Sequence, residues 1–316
     1  MQSRLYRTVG CALLLWVYPG YAQQPSTPLG SPVTSERLLK ASEEPENWLM
    51  YSGQYNSQRH SRLTAIDKSN VGQLEVKWVK QLETLADVET TPLVVDGVMY
   101  LTQSPSNVFA LDASTGSQFW SYEHSLPEKL SLCCGRQNRG VAILGETLFL
   151  GTLDAKLIAL DAKTGTVQWE TQSADPNTGY SKTAAPLVIG DKVISGIAGG
   201  EYGIRGFLDA YDAETGELAW RFYTIPGEGE PHNDTWEDDS WKTGGAPTWI
   251  TGAYDPELNL VYWGTGNPGP DWNGEAREGD NLYSDSVVAL DADTGELQWY
   301  FQFTPHDVHD WDATQI

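Results

Sequence analysis

Positive charge is scarce in this chain: 20 Lys and Arg stand against 43 Asp and Glu among 316 residues, a formal net charge of −23. Nucleic acid and anionic membranes are held by clustered Lys and Arg, and the absence of such a cluster in the sequence argues against both as partners. The surplus of carboxylates suits a cationic redox partner, and equally suits an exported protein kept soluble by its charge. Long apolar runs are missing as well. The one candidate, Val9 to Val17 behind Arg4 and Arg7, is too short for a membrane span. Gly20 and Ala22 follow it as small residues suited to a cleavage site, so residues 1–22 read as a secretory signal peptide. Cysteine is almost absent. Of three, Cys11 falls inside the signal, leaving Cys133 and Cys134 side by side. An oxidising compartment leaves a disulfide between them open, with no spare thiol.

What is abundant is Trp (13), Gly (31) and Pro (17), a balance that favours short strands and tight turns over helices. One phrase recurs: FALDASTGSQFW at 109–120, IALDAKTGTVQW at 158–169, DAYDAETGELAW at 209–220 and VALDADTGELQW at 288–299. In each, an aspartate (112, 161, 212 or 291) precedes a tryptophan by eight residues. The phrase reads as a strand, a turn whose Gly accepts positive φ, and a second strand. Upstream partner strands accompany it, as in PLVVDGVMYL at 92–101 and PLVIGDKVIS at 186–195. A repeat of roughly 50 residues with several strands per unit predicts an all-β fold, a β-propeller. The aspartates are spaced by 49, 51 and 79 residues, so the last unit carries an insertion, filled mainly by a long loop over Tyr223 to Thr248. Residues 23–45 read as a flexible lead-in, and the region from Trp48 to Trp78 as the first strands of the ring. The propeller domain, 46–316, stops at Ile316 with no closing repeat, so a truncated sequence is expected, inactive by itself.

Five local motifs stand apart from the repeat. They are CCGRQNRG at 133–140, AGGEYGIRG at 198–206, WKTGGAPTW at 241–249, GTGNPGP at 264–270 and TPHDVHDWD at 304–312. Glycines let backbone amides approach a planar anionic ligand, and a carboxylate among them can reach a metal. Asp310 and Asp312 stand two apart, so an extended backbone would aim both the same way.

With the repeat, these motifs resemble the quinoprotein alcohol dehydrogenases, the PQQ-dependent methanol and ethanol dehydrogenase family, whose propeller has eight blades. The likeness runs from about Trp48 to Gln315. It implies a periplasmic enzyme in which Cys133 and Cys134 form a rigid vicinal disulfide against one face of pyrroloquinoline quinone (PQQ). Trp249 would stack on the other face, and Arg139 would contact the reactive carbonyl oxygen. Glu89, Thr183, Ala198, Gly199 and Gly200 fall at cofactor-contacting positions, although Ala198 replaces the usual serine. Glu201, Asn267 and Asp310 match the metal ligands, with Asp310 also the catalytic base. Asp312 resembles the extra carboxylate of the lanthanide-using branch, so the ion is expected to be Ca²⁺ or a lanthanide, all hard cations that prefer oxygen. The implied reaction oxidises an alcohol to an aldehyde or ketone and passes electrons to a periplasmic cytochrome c. Two other readings stand beside it: a cofactor-free propeller scaffold, and a hydrolase holding zinc through His306, Asp307, His309 and Asp310.

Overall fold

The computed structural model describes residues 27–314; the expected signal peptide lies outside them. Each copy of the repeated phrase folds for a local reason. Asp112 Oδ1 accepts the backbone N–H groups of Ser114 (2.8 Å) and Thr115 (3.0 Å), and Gly116 supplies the left-handed residue (φ 71°) that turns the chain. Asp161, Asp212 and Asp291 cap their turns in the same way. The turn joins β3 (Asn107–Asp112) to β4 (Gln118–Tyr122), and β1 (Leu93–Val95) and β2 (Val98–Gln103) complete an antiparallel sheet in the order β1-β2-β3-β4.

Three more sheets repeat this order: β5 (Ala142–Leu144) to β8 (Val167–Gln172), β9 (Leu187–Ile189) to β12 (Leu218–Tyr223), and β13 (Ala253–Asp255) to β16 (Leu297–Gln302). In every sheet the register shifts at the same place, between Ala110 and Leu111, Ala159 and Leu160, Ala210 and Tyr211, and Ala289 and Leu290.

In the first three phrases the tryptophan is satisfied in the following sheet, whereas Trp299 of the fourth is 45% exposed. Trp120 donates its indole N–H to Ala162 O at 3.1 Å, and a Cβ on Gly165 would stand 2.5 Å from its ring. Trp78, Trp169 and Trp220 make the same joint with Ala113, Ala213 and Ala292. Such joints set successive sheets side by side as blades, which is the expected β-propeller architecture.

Two segments differ from expectation. Between Trp48 and β1 no strand forms among the described residues; Trp48 makes only a bridge to Val94. The alternation of Leu74, Val76 and Trp78 suits a strand, but no partner strand lies alongside, and Val76 is 81% exposed. Over residues 27–45, read from composition as a flexible lead-in, the chain is packed. Val33 pairs with Gly145, Val33 and Leu38 are buried, and a short helix α1 (Ser35–Leu39) is capped by Thr34.

Alternating strand direction decides where function can sit. In a four-stranded antiparallel meander, the entry to the first strand, the link between second and third, and the exit from the fourth share one end. The Asp-turn phrases occupy the other end. All five motifs outside the repeat belong to loops of the first kind.

Candidate functional site

Three of these loops are stitched together through the chain segment 244–249. Gly245 donates its N–H to Ile204 O and accepts from Gly206 N, which ties it to the loop carrying Glu201. On its other side Ala246 N donates to Asn267 O, and Gly266 N to Pro247 O. Segment 244–249 therefore runs like a strand between the Glu201 loop and the Asn267 loop, and delivers Trp249 to the gap beyond. Close approach demands glycine here: a Cβ on Gly206 would lie 2.1 Å from Ala246 O, and one on Gly266 would lie 2.2 Å from Asp312 Oδ1.

The gap is a cavity of about 280 Å³. Cys133 and Cys134, joined by a disulfide with Cα atoms 3.8 Å apart, form part of its wall, and Trp249 forms another part. Arg139 reaches in from the loop after β4, its guanidinium 4.9 Å from the Trp249 ring centroid and 2.7 Å from Glu89 Oε2. Thr183 takes the backbone N–H of Arg139 on its carbonyl at 3.0 Å. Ala198, Gly199 and Glu201 close the floor. Ala198 lacks a side-chain donor, and its backbone N–H is spent on Ser181 O at 2.7 Å.

At one margin of the cavity the carboxylates gather. Trp249 donates its indole N–H to Asp312 Oδ2 at 3.2 Å, and Asn267 its backbone N–H to Asp312 Oδ1 at 3.2 Å. Burial pushes the Glu201 carboxyl above its ordinary range, and the charges of Asp271, Asp312 and Asp310 push further. Burial also raises Asp312, with Asp310 and Asp271 adding to it against the two hydrogen bonds. Asp310 is raised by desolvation and then by Asp271 and Asp307. Carboxylates that repel one another, beside an amide oxygen, are the hard oxygen donors that Ca²⁺ or a lanthanide ion prefers, although the oxygens of Glu201, Asp310 and Asp312 do not all lie within 4.8 Å of one another.

Of the residues singled out in sequence, ten line this one cavity: Glu89, Cys133, Cys134, Arg139, Thr183, Ala198, Gly199, Glu201, Trp249 and Asp312. Gly200 and Asn267 are buried behind the wall, and Asp310 is exposed beside it. The expectation that Asp310 and Asp312 project together from an extended loop is corrected. Both have left-handed backbones, φ 61° and 53°, because the Asp307 carboxylate accepts the N–H groups of His309 (2.9 Å) and Trp311 (2.8 Å) and coils the segment.

That same capping removes Asp307 from any metal set, and His306 Nδ1 is turned to Gly279 O at 2.8 Å, so the four-residue zinc reading has no geometric support. Cys134 Sγ lies 4.0 Å from Glu201 Oε1, but a disulfide sulfur is not a thiolate ligand.

Sequence reasoning missed Gln137, Ser181, Pro247 and Asp271. Gln137, which lines the cavity and donates to Cys134 O, sat inside a quoted motif. Ser181 and Pro247 stand two residues before Thr183 and Trp249, and that alternation was the available signal. Asp271 gave none, since only folding brings it near Glu201.

A family model described as "PQQ: Glucose/ethanol/alcohol dehydrogenase, beta-propeller domain" matches residues 48–315. The quinohemoprotein alcohol dehydrogenase ADH IIB of Pseudomonas putida is 47% identical over 89% of this chain and 43% of its own length. The quinoprotein alcohol dehydrogenase PedH of the same species is 44% identical over 89% of the chain and 50% of its own. The chain thus spans about half the length of the curated relatives it matches. Among solved structures, a europium-containing methanol dehydrogenase superposes with a TM-score of 0.85 at 37% identity, covering 89% of this chain and 53% of that one. The quinohemoprotein alcohol dehydrogenase of Comamonas testosteroni gives a TM-score of 0.81 at 37% identity, over 89% and 46%.

Proposed function

The chain belongs to the PQQ-dependent glucose/ethanol/alcohol dehydrogenase family of β-propellers, and from that premise we propose that the intact protein oxidises an alcohol to an aldehyde or ketone. The observation that carries the reading is the single cavity walled jointly by the Cys133–Cys134 disulfide, Arg139, Glu201, Trp249 and Asp312. A flat quinone fits such a place because a disulfide plate and an indole both offer rigid apolar faces. Bound there, PQQ would supply the hydride acceptor and its cation the Lewis acidity that polarises it.

The chain's own residues do the rest. Trp249 and the disulfide hold the ring, and Arg139, kept in place by Glu89, offers hydrogen bonds to negative charge developing on an oxygen. Glu201, Asn267, Asp310 and Asp312 would hold the cation. Asp310, exposed in that set together with Glu201, is open to substrate and accepts the hydroxyl proton. The second carboxylate, Asp312, and the likeness to a europium-containing enzyme favour a lanthanide over Ca²⁺. Export through residues 1–22, a periplasmic location and a cytochrome c acceptor complete the proposal. No helix among the described residues is long and apolar enough to cross a membrane.

The test is a dye-linked alcohol oxidation assay of the intact protein with PQQ and either Ca²⁺ or La³⁺. Turnover that requires both PQQ and an ion, and that Asp310→Ala abolishes, is expected. Turnover independent of PQQ would end the reading.

A further inference from the structure

Asp271 immediately follows the Gly264–Pro270 motif and has no part in the roles above. Its Oδ1 accepts an N–H from Asn267 Nδ2 at 2.8 Å, and the other direction of that amide nitrogen is toward Pro268 O at 3.4 Å. An asparagine amide donates at one end and accepts at the other. With the nitrogen engaged by Asp271 and Pro268, Oδ1 is the end left to accept or to ligate.

The position of Asp271 is itself built in. Arg277, fully buried, donates to Pro270 O at 3.1 Å and to Asp271 O at 3.0 Å, and also reaches Asp307 O and Asn281 Oδ1. One guanidinium therefore locks the Asp271 loop to the loop carrying Asp310 and Asp312. The charge of Asp271 is felt by Glu201, Asp310 and Asp312 alike, while the cavity's guanidinium, Arg139, is paired with Glu89.

We propose that Asp271 is a positioning residue of the ion site, turning Asn267 Oδ1 toward the cation and adding a fourth carboxylate charge that favours a trivalent over a divalent ion. This rests on the reading that Glu201, Asn267, Asp310 and Asp312 hold a cation. The charge count of a site and the rigidity of its ligands together set ion affinity; Asp271 contributes to both without itself being a ligand.

Two variants separate the parts. Asp271→Asn keeps an oxygen acceptor for Asn267 and removes the charge; Asp271→Ala removes both. The intact protein, stripped of ions, is titrated with Tb³⁺ and read by tryptophan-sensitised luminescence, with Ca²⁺ read by competition. Loss of one nearby charge should weaken Tb³⁺ binding by about tenfold in Asp271→Asn and Ca²⁺ binding by only about fivefold, since the Coulomb attraction scales with the charge of the ion. Asp271→Ala should weaken both ions. If both variants bind Tb³⁺ as tightly as the parent while Glu201→Gln loses it, the role of Asp271 is overturned and the ion site stands. If Glu201→Gln also binds Tb³⁺ unchanged, the ion site itself is refuted, and the inference with it.

Discussion

Trp249 donates its indole N–H to Asp312 at 3.2 Å, so one side chain both walls the cavity and orients a carboxylate at its margin. A cofactor face and an ion site at these two residues, as proposed, would be coupled through a single ring.

Trp249→Phe separates the two jobs. Phenylalanine keeps an aromatic face but leaves Asp312 with only the Asn267 N–H as donor, a loss of about 1–3 kcal/mol for a hydrogen bond to a charged group. La³⁺ affinity should fall about tenfold or more while PQQ still binds; Trp249→Ala should lose both. Calorimetric titration with each ligand measures this, and equal PQQ loss in the two variants would contradict it.

Arg277 supports a second prediction. Its guanidinium serves four oxygens in a dry site, and a lysine ammonium, with three donors and no fork, leaves at least one unmet. Arg277→Lys should destabilise the fold by about 1–3 kcal/mol, the cost of a buried unpaired acceptor. Urea unfolding followed by tryptophan fluorescence gives the value; an unchanged midpoint would show that the clamp is dispensable.

The phrase containing Asp112 and Trp120 made the blades legible because both residues act within a few positions of themselves: Asp112 caps its own turn, and Trp120 reaches the same phrase one repeat later. Cys133, Cys134, Glu201, Trp249 and Asp312 were legible as a set because each sits in a compact motif. Asp271 and Arg277 were not, since the folded path of a single long loop, and its contact with Asp307, bring Asn267, Pro270 and Asn281 to them, which no local pattern encodes. The Leu74–Trp78 alternation failed as a strand signal for a related reason: a strand requires a neighbour as well as a pattern. Composition misled at 27–45 because Pro and Ser content says nothing about Val33 finding Gly145.

Asp285 yields a pH prediction. It is fully buried, one carboxylate oxygen has no hydrogen-bond partner, and burial with the nearby Asp307 charge pushes its carboxyl up to about 7. Between the ordinary carboxylate range and pH 7, the folded chain keeps a proton that the unfolded chain has released. Its contribution to stability is therefore complete at low pH and is lost as pH rises from about 4 to 7. The ion-free protein should melt at progressively lower temperature across that window. Asp285→Asn should flatten the slope by an amount worth about 1–4 kcal/mol over the window. Thermal melts at pH 4.5, 5.5 and 7 in chelator, giving parallel slopes for parent and variant, would exclude this assignment.

The central claim concerns where a flat cofactor and its ion sit, and anomalous scattering from crystals of the intact protein grown with PQQ and La³⁺ addresses it directly. The account predicts a lanthanum peak about 2.3–2.6 Å from oxygens of Glu201, Asn267, Asp310 and Asp312, with the quinone between the Cys133–Cys134 disulfide and Trp249. A lanthanum peak away from those four residues, or a quinone bound outside that cavity, would contradict it.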